Sequence, residues 1–201
     1  MAVLRFRLAA VSAATLAVVA CGKKDNTAAD TTAASGTMAD TSAMAASSTN
    51  TGGTWSDANI FALLDEANAA DSTAGAMAAT KGTAASVRAF AKDMMRDHHT
   101  MRAQGAALAK KLNITPEAPT GDPVGPMAQT ETNTLNSTAK GKDFDKAYVD
   151  AEVGAHKAVL DLQTKSAGQT QNTELKNMIQ KAAPLVQAHL DKIEAIQKAM
   201  K

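Results

Sequence analysis

Three of the four histidines in this 201-residue chain, His98, His156 and His189, fall on the apolar stripes of three separate helical segments. Val87, Phe90, Ala91, Met94 and Met101 flank His98 at three- and four-residue intervals, Tyr148, Val149, Val153, Val159 and Leu160 flank His156, and Leu185, Val186, Leu190 and Ile193 flank His189. Stripes of this kind converge inside a helix bundle. Convergence would bring the imidazoles together with Glu152, Asp97 and Asp71 as carboxylate neighbours; Glu152 and His156 are four apart and share a face. His99 is expected to point outward. Neutral imidazole suits zinc, copper, nickel and iron, and carboxylates supply the balancing charge, so one chemistry open to this set is a transition-metal site. The other is a polar layer in which each histidine pairs with an acid or hydroxyl and fixes helix register with no ligand. Buried polar groups usually find their partners within the protein, which makes the layer the simpler reading.

The run Met94-Met95-Arg96-Asp97-His98-His99 offers a second donor set, since Met94 with His98 and Met95 with His99 are each at helical spacing and thioether plus imidazole favours copper. Methionines on a helix stripe are more often core filler. A ferritin-type di-iron centre uses two Glu-x-x-His motifs, and here the residues three before His98, His156 and His189 are Met95, Val153 and Val186. No paired nucleophile and base, phosphate-cradling glycine loop or zinc-protease motif occurs, and no catalytic residue is assigned. Tyr148 and Trp55 are read as packing residues.

The elements that must carry these side chains are helices. Ser56 is placed to cap a first helix through Ile60, Phe61, Leu64, Ala67 and Ala70 to about Thr80, closed by Gly82. Thr83 is the expected cap of a second, which continues through Leu108 and Leu112, with Gly105 inside it, and stops at Ile114-Thr115-Pro116. Prolines and glycines from Pro116 to Pro126 mark a loop crossing the end of the bundle, followed by a short helix from Pro126 to Ala139. Asp143 is the expected cap of the third long helix, which Gly168 stops. The fourth runs from about Thr173 to Met200, with a bend expected near Ala183 because Pro184 deletes a backbone hydrogen bond. No strand-like alternation occurs, so the fold class is all-α, a four-helix bundle with a short extra helix.

The first residues have a different character. Arg5 and Arg7 precede an apolar run from Leu8 to Ala20, and Val18-Val19-Ala20-Cys21 resembles the bacterial lipobox, whose cysteine sulfur is lipidated before cleavage. Residues 1–20 therefore read as a lipoprotein signal peptide and Cys21, the sole cysteine, as the lipidated first residue of the mature protein. Residues 21–53, dominated by Ala, Thr, Ser, Asp and Gly, offer too little apolar area to repay ordering and read as a flexible tether, leaving 54–201 as the bundle domain. Gly22 lacks the aspartate that, by resemblance to well-studied envelope lipoproteins, would favour inner-membrane retention, so the outer membrane, facing the periplasm, is the expected address. Loss of the signal leaves 19 basic against 20 acidic side chains, and aromatics are 3% of the chain, so no nucleic-acid partner is expected.

Phe90-Ala91 with Met94 and Asp97-His98, then Asp143-Phe144-Asp145 with Tyr148, then His156, then Pro184-Leu185 and His189-Leu190, make the stretch from Asp57 to Ile196 similar to a family of bacterial exported proteins described as a domain of unknown function and often labelled outer-membrane proteins. The resemblance implies a ferritin-like four-helix fold and no established activity. The family places a glutamate in the first helix where this chain has Asp71, one methylene shorter. The leading expectation is a non-enzymatic, membrane-tethered binding or structural domain whose partner is an envelope protein or wall component. The competing one is a ferritin-like protein that holds zinc, copper or iron in an interior His/carboxylate cluster.

Overall fold

A small number of caps decides where the chain turns. In a computed structural model that describes residues 53–201, helix α1 (Asp57–Lys81) starts at Ser56, whose hydroxyl accepts the Asn59 N–H while the Asn59 side chain accepts the Ser56 N–H. Cys21, the expected signal peptide and nearly all of the expected tether lie outside the described residues. Helix α2 (Ala85–Lys111) departs from expectation: its N-cap is Ala84, not Thr83, and no local side chain caps it. The cap comes from another helix. Asp145 accepts the Thr83 N–H at 2.8 Å, the Thr83 hydroxyl at 2.5 Å and the Ala84 N–H at 2.8 Å, placing an acid where a helix start exposes unpaired donors and positive dipole.

At its other end, α2 stops because Asn113 takes a left-handed conformation, φ 55°, and the N–H groups of Asn113 and Ile114 fold back onto the carbonyls of Lys110 and Ala109. Helix α3 (Gly125–Ser137) is the short one, and the side-chain amine of Lys81 donates to the Leu135 and Asn136 carbonyls at its end. Helix α4 (Lys142–Gln169) begins after Gly141, whose φ of 150° only glycine adopts readily; Asp143, the expected cap, is already its second residue. It runs past Gly168 to a cap at Thr170. Helix α5 (Thr173–Ala199) starts at Asn172, whose side chain accepts from Glu174 and Leu175, and continues unbroken through Pro184.

The pairs α1–α2 and α4–α5 pack as hairpins, α1 lies beside α4, and α2 beside α5. Thr170 at the end of α4 donates to Asp57 at the start of α1, and Lys111 at the end of α2 pairs with Glu174 at the start of α5, so each neighbouring pair is antiparallel. Because α4 neighbours α1 rather than α2, the link from α2 must cross the bundle diagonally. It passes over the start of α1, where Glu117 exchanges hydrogen bonds with Ala58 and Asn59, and α3 then returns along α1 and α4. None of the described helices is long and apolar enough to cross a membrane.

Two apolar clusters fill the interior. One gathers Phe90, Met94, Leu135, Phe144, Tyr148 and Ile193; the other gathers Ile60, Phe61, Leu63, Leu162, Leu175 and Ile179. Each buries several large side chains, worth about 1.5–3 kcal/mol apiece. Asp71, His98, Glu152, His156 and His189 occupy intermediate positions along their helices and are buried in turn. Leu185, expected on the stripe of the last helix, is instead 38% exposed, because Val186 and His189 take the inward positions of that turn.

Candidate metal centre

His98 from α2, His156 from α4 and His189 from α5 meet inside the bundle with ring centroids 5.7, 5.4 and 5.7 Å apart, a nearly equilateral set. Each ring offers one nitrogen such that the three lie within 4.8 Å of one another. The Phe90 ring lies 6.2–6.3 Å from those of His156 and His189 and bounds the set on one side.

One nitrogen of every ring is held. His98 Nδ1 lies 2.8 Å from Asn68 Oδ1, with Asp71 Oδ2 at 3.2 Å; His156 Nδ1 lies 2.9 Å from the Glu152 carbonyl; His189 Nε2 lies 3.0 Å from Asp97 Oδ2. Carbonyl and carboxylate oxygens only accept, so these ring nitrogens carry the proton and donate. The opposite nitrogens, His98 Nε2, His156 Nε2 and His189 Nδ1, are buried with no hydrogen-bond partner. A second sphere of oxygens that fixes the tautomer and presents the other nitrogen is the arrangement metal-binding histidines use.

Burial, assisted by the mutual repulsion of neighbouring rings, pulls His98 down to about 3 and lowers His189 below its ordinary value, so both rings are neutral at pH 7 and their free nitrogens can donate electron pairs. Asp97 behaves as an outer partner. Partial burial would raise its carboxyl, but hydrogen bonds from Arg96 and His189 outweigh that and hold it below the usual range. Of the six residues singled out as interior candidates, Asp97 is thus the one that supports a ligand from outside.

A carboxyl group of three lies against His156. Asp71 and Glu152 share with it donor atoms within 4.8 Å of one another, and Glu131, on α3 and outside that set, is a third acid near enough to feel the charges of Glu152 and His156. Burial pushes Glu152 and Glu131 up to about 8 and Asp71 well above its ordinary value, with the charge of Glu152 raising both others further. Both Glu152 oxygens, Asp71 Oδ2 and Glu131 Oε1 are buried without hydrogen-bond partners, as is the Tyr148 hydroxyl beside Glu152.

Glu131, Asn68 and Tyr148 were not expected here. Asn68 shares the α1 face with Asp71, one turn away, and that spacing was the available signal; Glu131 sits in a polar helix whose position depends on the crossover, and nothing in its flanks marks it. The Met/His set is not brought to one place. Met94 and His98 face inward, where Met94 is packed in the apolar cluster, whereas His99 is exposed and Met95 half-buried, because residues 100° apart on a helix cannot share a face. A charged face runs along the outside of α2, with Arg96 paired to Asp93 and Asp97 and Arg102 to Asp65.

A family model described as a domain of unknown function, DUF4142, matches residues 39–196. The chain belongs to that family. No curated protein matches it. Among solved structures, the chain is similar to the crystal structure of a DUF305 fragment from Deinococcus radiodurans, at 11% identity and a TM-score of 0.61 over 72% of this chain and 97% of that one. A likeness at that identity supports the helical fold and assigns no activity.

Proposed function

We propose that this protein is an envelope-anchored metal-binding domain that holds a first-row transition ion, zinc, copper or iron, through His98 Nε2, His156 Nε2 and His189 Nδ1. The single observation behind the reading is that three converging imidazoles each have one nitrogen held by an outer oxygen and the other buried without a partner. A ligand-free polar layer would leave three buried ring nitrogens unsatisfied at about 1–3 kcal/mol each, which argues for a ligand over a register device. Three imidazole nitrogens leave a fourth position open, the pattern of sites that exchange or process what they bind. The ion would contribute a Lewis-acidic charge; the chain contributes fixed rings and a dry enclosure.

Anchoring through a lipidated Cys21, on the membrane side of residues 21–53, is part of the same proposal, supported by the sequence before Cys21. It places the domain in the bacterial envelope, at the outer membrane facing the periplasm. Cys21→Ala is expected to shift the protein from the membrane to the soluble fraction; retention in the membrane refutes the anchor.

The metal reading is tested on metal-free protein purified in detergent. Addition of Zn(II), Cu(II) or Fe(II) is expected to give stoichiometric uptake by elemental analysis and a higher melting temperature, about 2.7 kcal/mol at a hundredfold excess over Kd. His98→Ala and His189→Ala abolish uptake, and His99→Ala leaves it intact. Protein that remains metal-free and equally stable with all three ions overturns the reading and leaves the polar layer.

A further inference from the structure

The acids beside the triad are not needed to hold its rings. His98 and His156 donate to Asn68 and to the Glu152 carbonyl, while the carboxyl oxygens of Asp71 and Glu152 stand 3.2 and 3.3 Å from the same nitrogens without meeting hydrogen-bond geometry. Among the described residues no lysine or arginine pairs with Asp71, Glu131 or Glu152. Asp71 is 2% and Glu152 0% exposed, so their oxygens have no solvent to fall back on. Buried acids in native proteins are ordinarily paired or bound to a cation. A group of different chemistry, the Tyr148 hydroxyl, is wholly buried beside Glu152 and has no hydrogen-bond partner either.

The acids also have a way out that the histidines do not share. A cleft of about 710 Å³ between α1, α3 and α4 has Asp71 and Glu131 in its wall, and none of the three histidines. Small residues of α4, Ala151, Gly154, Ala155 and Ala158, form one side, and a Cβ added at Gly154 would meet nothing within 4 Å.

We propose that Asp71, Glu131 and Glu152 form a second cation site, an oxygen-donor site for a hard divalent ion of the manganese class, adjoining the histidine triad at His156 and filled through the α1–α3–α4 cleft. Carboxylate oxygens suit such ions, whereas imidazole nitrogens suit zinc and copper, so the two halves of the interior sort ions by chemistry. The oxygen site does not require the nitrogen site to be occupied.

The probe is Mn(II) alone, added to metal-free full-length protein in detergent, with unbound ion read from its six-line electron paramagnetic resonance signal. One Mn(II) is expected per chain, and one also in the His98→Ala/His189→Ala variant, which separates this site from the proposed transition-metal site. Asp71→Asn/Glu131→Gln is expected to lose uptake. Should that pair fail to fold by circular dichroism, Glu131→Gln alone, at a half-buried position, carries the same expectation of weakened uptake. Gly154→Phe, which adds bulk to the cleft at a position that is not itself a ligand, is expected to slow uptake at unchanged final stoichiometry. No uptake by the wild type, or uptake indifferent to Glu131→Gln, overturns the site; unchanged uptake kinetics in Gly154→Phe overturn the route.

Discussion

Asp145 and Glu152 stand two turns apart on the same buried face of α4, 2% and 0% exposed, and their oxygens meet opposite fates. Asp145 receives three hydrogen bonds from the α1–α2 turn and closes the start of α2; Glu152 receives none within hydrogen-bond geometry. Burial alone therefore says little about what an acid is for. A satisfied one holds the fold, and an unsatisfied one is a cost that the fold carries for another purpose.

The widest separation between the two is expected in the pH dependence of the metal-free protein. Glu131 and Glu152 sit near 8 when folded against an ordinary 4.5, so folding retains their protons and stability falls as pH rises from 4.5 to 8. His98 sits near 3 against an ordinary 6.5, so folding resists its protonation and stability falls as pH drops from 6.5 toward 3. Above 4.5 the two acids outweigh the one histidine, so melting curves should peak near pH 4.5 and lose several kcal/mol, at about 1.4 per pK unit and group, by pH 8. A flat profile would mean that these groups are hydrated in solution.

Next in size is Asp145→Ala, which strands two backbone donors and the Thr83 hydroxyl; a loss of about 2–4 kcal/mol is expected in chemical unfolding. Glu152→Met should do the reverse, stabilising the metal-free protein by about 1 kcal/mol at pH 8 and flattening the alkaline fall. If it destabilises as Asp145→Ala does, the contrast between the two acids is false. The smallest effect belongs to Gly154→Ala, two residues beyond Glu152, where the added methyl meets nothing: about 0.5–1 kcal/mol of helix stabilisation, read as a rise in melting temperature with the pH profile unchanged.

The helices and the convergence of His98, His156 and His189 were legible in the sequence because a period of 3.6 residues fixes which side chains turn inward, and Asp71 and Glu152 follow the same rule. What escaped was set by contacts between distant segments. Thr83 looks like a cap by type and position, yet the cap is Asp145, 62 residues on. Asp143 has the right type too, but Gly141 supplies the backbone turn that starts α4. Glu131 lies on a helix of weak pattern whose place depends on a diagonal crossover, and Asp97 needed the orientation of His189 to reveal that it works from behind a ring.

The polar groups that divide the two apolar clusters come from every helix: Asp71 from α1, His98 from α2, Glu131 from α3, Glu152 and His156 from α4, His189 from α5. Ions seated in the two sites would act as rivets through both hairpins at mid-height, so that neither could peel away without rupturing their bonds. Amide hydrogens at the waist of all five helices would then exchange together and last, while the ends frayed as before.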